Sequence, residues 1–193
     1  SMKSEPVNPF RTEKMQRILS EFHTGLHPAE DEKLVAFITE ESQQYGFEPE
    51  LILALISTES SFYNWSVSKK GAVGMMQIIP ETGKALAKAT QIAWHEQNQR
   101  LFDPYVNIRL GIHYLHALYE RFGDLRTALA AYNFGPTKIQ KWIHGGKKIP
   151  TRYANKVLES YESYLASAIE ENTHVPEGTS TETPPSIPER SAT

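Results

Sequence analysis

Apolar residues recur at helical spacing along most of the chain, in runs that proline opens and glycine closes. A first stretch, Glu13 to Phe22, puts Met15, Ile18, Leu19 and Phe22 on one face of a short helix. Pro28, followed by Glu30, Asp31 and Glu32, opens a second helix with Leu34, Val35 and Ile38 as its buried stripe, and Gly46 closes it. Pro49 begins a third. From Phe62 to Ile79 the periodicity collapses around Gly71 and Gly74, in a loop too long for a simple connector and of the kind in which function concentrates. At most a short β-hairpin is expected there, in the 70s. Pro80 begins another helix.

Asp103 as N-cap with Pro104 in the first helical position introduces the best-defined helix, in which Ile108, Ile112, Leu115, Leu118 and Phe122 repeat until Gly123. Asp124 caps a short helix through Leu125, Ala128, Leu129 and Tyr132. Asn133-Phe134-Gly135-Pro136 breaks it and starts the next. A last helix is predicted from about Thr151 to Glu170, striped by Tyr153, Val157, Leu158, Tyr161 and Leu165. From Thr173 onward Thr, Ser, Pro and Glu dominate with nothing to bury. The pattern predicts a mainly α, multi-helix fold, with residues 1–27 as an N-terminal extension, 28–172 as the domain and 173–193 as a disordered tail.

Composition narrows the function. A chain of 193 residues that is 39% hydrophobic can build a core without staples, and the absence of cysteine removes disulfides, thiol catalysis and thiolate metal sites. The net charge is −3, and the only local Lys concentrations, Lys69-Lys70 and Lys147-Lys148, read as solvated pairs, so no nucleic-acid footprint is present. No run of about 18 apolar residues occurs, and the Ser1-Met2 start fits a signal or anchor segment trimmed away, so its absence is uninformative.

The chemistry centres on Glu59. On the helix through Leu51 to Glu59, positions 51, 52, 55, 56 and 59 share a face, which places a carboxyl in an arc of Leu and Ile near the negative end of the helix dipole. Both surroundings disfavour the anion and would keep the group protonated, as a general acid requires. The competing reading from spacing alone is a solvated glutamate at a helix end. His113 and His116, three apart on one helix, lack further ligands, read as surface residues and predict no metal.

Four ordered motifs then carry a resemblance. Glu59-Ser60, Gly74-Met75-Met76-Gln77-Ile78, Asp103-Pro104 with Asn107-Ile108 and Gly111, and Ala131-Tyr132-Asn133-Phe134-Gly135-Pro136 resemble the catalytic domain of the soluble lytic transglycosylases, over roughly residues 30–168. The family has a lysozyme-like fold related to goose-type lysozyme and cleaves peptidoglycan glycan strands. The resemblance implies Glu59 as the single catalytic acid, with Ser60 as its companion. It implies Ser68 near the substrate's acetamido group, Gln77 as a sugar contact and Met76 packed under the cleft. Tyr132 and Asn133 match the family's Ala-Tyr-Asn motif, and Tyr153 a cleft tyrosine. By pattern alone Tyr132 reads first as a core residue on the stripe of Leu125, Ala128 and Leu129, and Met75-Met76 as ordinary core filler. The family more often has Leu at 75, Ile78's neighbour 79 as Met, and Ala at 134, where this chain has Met75, Ile79 and Phe134.

Most glycosidases use two carboxylates. Glu81 and Asp103 read as a first-turn residue and an N-cap, which leaves Glu59 alone. A lone acid fits substrate assistance, in which the sugar's acetamido oxygen attacks the anomeric carbon and its C6 hydroxyl then closes a 1,6-anhydro ring. The expected function is therefore a peptidoglycan lytic transglycosylase acting between N-acetylmuramic acid and N-acetylglucosamine, with no cofactor. A goose-type-lysozyme-like hydrolase and a non-catalytic glycan-binding module are the alternatives. Peptidoglycan strands are the expected partner, with no nucleic acid. A monomer in the periplasm or cell envelope is expected, and any envelope or secretion-apparatus partner is unspecified. Phe62, Tyr63, Trp65, Trp142 and Tyr153 suit either sugar stacking or packing.

Overall fold

The computed structural model describes residues 9–94 and 99–167; the proposed tail at 173–193 lies outside them. The described residues form α1 (Pro9–Ser20), α2 (Pro28–Gln44), α3 (Pro49–Ser60), α4 (Pro80–Ala89), a short 3-10 turn (Gln99–Phe102), α5 (Pro104–Phe122), α6 (Leu125–Phe134), α7 (Pro136–His144) and α8 (Arg152–Ala166). The boundaries have local causes. Proline occupies the start of α2, α3, α4, α5 and α7, where a missing N–H costs nothing. Asp103 caps α5 by accepting from Tyr105 N and Val106 N, and Asp124 caps α6 by accepting from Thr127 N. Gly123, at φ 68°, ends α5 in the left-handed conformation.

Helix α3 is the axis of the fold. Every residue from Pro49 to Ile56 is buried, so the helix is enclosed all round rather than along a stripe. It packs between α2 and α8, while α5 packs on α2, α4 and α6, and α8 also packs on α6. Helix α1 belongs to the same core: Met15, Ile18 and Leu19 are buried, and Arg11 forms a bidentate pair with Glu50 at the first turn of α3. Both partners are charged and Glu50 is buried, so the pair fixes α1 in register as well as adding hydrogen bonds.

The long loop after α3 has no sheet. Within the limit of at most a short hairpin, the 70s hold two isolated antiparallel bridges, Val67 with Val73 and Val73 with Ile78. Side chains join backbone turns in holding the segment. The fully buried Asn107 of α5 accepts from Met76 N at 2.8 Å and donates to Val73 O and Leu101 O, both at 2.9 Å. The close approach demands glycine at 74, which sits at φ 79° and where a Cβ would fall 2.3 Å from Asn107 Nδ2. One turn further along α5, Gly111 leaves room for Met76, whose sulfur would be 2.3 Å from an added Cβ.

Replacing Asn107 with Ala strands Met76 N and Leu101 O, while Val73 O keeps its bond from Ile78 N, and should cost about 2 to 4 kcal/mol. Urea unfolding of Asn107→Ala beside the parent protein reads this as a lower midpoint with little change in slope.

Candidate active site

Glu59 lies in the last turn of α3, just before the chain leaves the helix through Ser61 and Phe62, both at positive φ. Phe62 is fully buried and packs against Phe22, so core packing over-determines the strained exit. Ser60 makes the exit firmer still: its Oγ donates to Met75 O at 2.8 Å and ties the end of α3 to the loop that returns past it.

Two cavities meet at Glu59. One, of about 590 Å³, is lined by Glu59, Ser68, Gln77, Tyr132 and Asn133, with Lys69 and Lys70 on its wall. The other, of about 910 Å³, runs along α8 past Tyr153, Lys156 and Glu159. Glu59, Asn133 and Phe134 belong to both, so the carboxyl sits where the two halves of one groove join. Their volumes are those of ligand-binding clefts.

Burial pushes the Glu59 carboxyl up to about 7, against two opposing influences: a hydrogen bond from Tyr153 and the positive charge of Lys156. Desolvation therefore wins, as the apolar arc around Glu59 predicts. The Tyr153 hydroxyl donates to Glu59 Oε1. That hydroxyl is itself held protonated by burial and by the nearby carboxylate, so it remains a donor throughout. Tyr132 is held protonated for the same reasons, and its hydroxyl donates to Met76 O at 2.8 Å. Its proton is thus committed to the backbone, while its oxygen keeps acceptor capacity toward the cavity.

Ser68 and Gln77 are oriented just as definitely. Ser68 Oγ accepts from Ala72 N at 3.0 Å and from Lys70 N at 3.3 Å, which leaves its own proton for a ligand. Gln77 spends its amide N–H groups on Gly74 O at 2.9 Å and Ser66 O at 3.2 Å, so its carbonyl oxygen is the group left to accept. Asn133 is exposed on the groove floor. Met76 is fully buried beneath the cleft against Gly111, and neither it nor Ser60 lines either cavity.

Several residues escaped the sequence reading. Asn107 was visible only as part of a motif, and its clamp on two loop groups and the 3-10 turn needs tertiary structure. Lys156 and Glu159 follow Tyr153 at helical spacings of three and six, a signal that points to them only once Tyr153 is known to face the groove. Lys69 and Lys70, read as solvated, are exposed but line the first cavity. His113 and His116 are half-buried rather than surface residues, because Tyr45 and Phe47 cover them. The Tyr45 hydroxyl and His113 Nδ1 lie 3.2 Å apart. Among the described residues no group of three or more His, Asp or Glu is placed to hold a metal ion. Of the aromatic candidates, Phe62 is core and Trp142 packs on Phe134. Tyr63 and Trp65 are exposed away from both cavities, with Trp65 against Phe102, and only Tyr153 reaches Glu59.

Glu81 and Asp103 keep the structural places expected of them, in the first turn of α4 and at the cap of α5. Among the described residues Glu59 is the only acidic one lining the first cavity. In the second, Glu159 is exposed on α8, and Tyr153 to Glu159 spans roughly 9 Å of helix rise.

Residues 36–155 match the Transglycosylase SLT domain family. The chain is similar to the membrane-bound lytic murein transglycosylase C of Yersinia pestis (strain Pestoides F), at 32% identity over 124 residues, which is 60% of this chain and 35% of that protein. The protein of the same name from Histophilus somni (strain 2336) is 27% identical over 135 residues, 65% of this chain and 37% of its own length. Among solved structures, the 70 kDa soluble lytic transglycosylase SLT70 of Escherichia coli superimposes with a TM-score of 0.60 at 28% identity, covering 69% of this chain and 24% of that one. The lytic transglycosylase Slt of Pseudomonas aeruginosa gives 0.55 at 28% identity, over 71% and 24%. The chain thus spans just over a third of these curated relatives and about a quarter of the solved chains. The fold is mainly α and lysozyme-like, as the resemblance implies. The matched stretch is more than half of the chain and contains the whole lining of the first cavity, and this chain belongs to the Transglycosylase SLT domain family.

Proposed function

We propose that this chain is a peptidoglycan lytic transglycosylase of the bacterial cell envelope. It cleaves the β-1,4 bond between N-acetylmuramic acid and N-acetylglucosamine and leaves 1,6-anhydromuramoyl ends, with Glu59 as general acid and then base. The observation that carries this reading is the position of Glu59 where the two cavities join, with its carboxyl held protonated up to about pH 7. Family membership supports it, as do relatives named lytic murein transglycosylase. The P. aeruginosa neighbour is described as an inactive mutant in which Gln replaces a Glu. The relatives' membrane-bound names support an envelope location; among the described residues no helix is long and apolar enough to cross a membrane.

In the first step Glu59 gives its proton to the glycosidic oxygen as the bond from the anomeric carbon to that oxygen breaks. The acetamido carbonyl oxygen of the muramoyl residue forms the new bond to the anomeric carbon. Ser68, with a free proton, donates to the acetamido group, and the Tyr132 oxygen accepts its N–H, which together turn the acetamido group toward its target. In the second step the C6 hydroxyl of the same sugar attacks the anomeric carbon, the acetamido oxygen departs, and the Glu59 carboxylate takes the hydroxyl proton. Tyr153 and Lys156 stabilise that carboxylate between the steps. Gln77 accepts from a ring substituent and Asn133 hydrogen-bonds another, and the acid emerges as it began.

Glu59→Gln should lower strand cleavage by about 10³-fold or more while glycan binding persists. Mass spectrometry of digested peptidoglycan should find wild-type products one water lighter than hydrolysis products; reducing ends throughout would instead establish a hydrolase. A hydrolase needs a base for water, and the exposed Glu159 is the carboxylate available in the second cavity. Glu159→Gln should therefore leave the turnover rate within about twofold, and a loss comparable to that of Glu59→Gln would overturn the single-acid scheme. The rate should fall as pH rises through about 7, because the proton donor is then lost. Tyr153→Phe removes the hydrogen bond that lowers the Glu59 pKa, so in a pH series of kcat/KM the alkaline limb should move to higher pH.

A further inference from the structure

The first cavity has an uneven charge. Lys69 and Lys70 stand together on its wall, both exposed; among the described residues neither has an ion-pair partner and the only acidic side chain in the lining is Glu59. The second cavity mixes signs, with Arg152 and Lys156 beside Glu159 and Glu59. The two lysines are held at the tip of a cross-linked turn. Ser68 N donates to Ala72 O and Gly71 N to Ser68 O, each at 2.9 Å, while Ser68 Oγ accepts from Lys70 N and Ala72 N. The bridge between Val67 and Val73 closes the turn from below. A cation pair on so fixed a backbone is a standing field for an anion, since only the lysine side chains need ordering when one arrives.

The ring hydroxyls and acetamido groups of a glycan strand are neutral. Its carboxylates are carried on the 3-O substituent of the muramoyl residue, either as the lactyl carboxylate itself or on the peptide attached there. Resting on the reading above, we propose that Lys69 and Lys70 form a subsite for a carboxylate on that substituent. The pair thereby distinguishes muramoyl strands from uncharged N-acetylglucosamine polymers and places the substituted sugar on the Ser68 side of Glu59. Lys156 occupies the other half of the groove, where its charge supports Glu59 instead.

Binding in the Glu59→Gln background separates this subsite from the chemistry. Three ligands are compared by calorimetry at low and physiological salt: peptide-bearing glycan strands, strands stripped of peptide so that the lactyl carboxylate is free, and an N-acetylglucosamine oligomer. Adding K69Q and K70Q together should weaken carboxylate-bearing ligands about fivefold to tenfold, more at low salt, with the neutral oligomer changed less than about twofold. Loss on peptide-bearing strands alone assigns the partner to peptide carboxylates; loss on stripped strands as well assigns it to the lactyl group. Equal weakening of all three ligands, or less than about twofold for each, overturns the subsite. Unchanged thermal midpoints of the lysine variants establish that the fold is intact. Cleavage by Glu59→Gln at the wild-type rate would instead overturn the proposed reaction and leave the binding comparison standing.

Discussion

The desolvation of one carboxyl depends on almost everything else in the molecule. Glu59 is at the end of a helix that the rest of the domain encloses, and an acid placed there loses water on most sides. Tyr153 and Lys156 pull its pKa down, yet burial outweighs them and leaves the group near 7. That balance suits a residue that must give up a proton and later take one back. A more deeply buried acid without the tyrosine would hold its proton too tightly, and a solvated one would have lost it.

Keeping the carboxyl in that setting is a problem of anchoring an irregular loop. The segment from Ser61 to Ile79 has almost no regular ladder, and its short backbone turns leave several groups that side chains satisfy. Asn107 reaches Met76 N and Val73 O from α5, Ser60 reaches Met75 from the end of α3, and Tyr132 reaches Met76 from α6. The Met75-Met76 pair is thereby hydrogen-bonded to three different helices while its side chains fill the core. The same contacts orient the cavity wall: Gln77 and Ser68 each have one kind of hydrogen-bonding capacity used internally and the complementary kind left for a ligand.

The two half-grooves differ in how they treat charge. The side nearer α8 supplies the hydrogen bond and cation that stabilise ionised Glu59, and the opposite side supplies the hydroxyl, the amide and the lysine pair. This division fits a reaction in which both attacking groups come from the substrate and the protein's task is chiefly to orient them.

Local signals determined a great deal from the chain alone. Proline and aspartate starts and glycine stops are energetic preferences of single turns, so the helices from Pro28 onward could be read closely, and Glu59 could be singled out from its place among Leu and Ile. Other features required the chain to come back on itself. Helix α3 is enclosed on all sides, and α1 docking through Arg11 on Glu50, the Asn107 bonds to Met76 and Val73 and the Tyr153 hydroxyl on Glu59 join residues 31 to 94 positions apart. No periodicity encodes such pairs, because their energy depends on distance in space rather than along the chain. The 70s, where the pattern allows at most a short hairpin, stop at two isolated bridges for the same reason: α5 and α6 satisfy loop backbone groups that a second strand would otherwise pair.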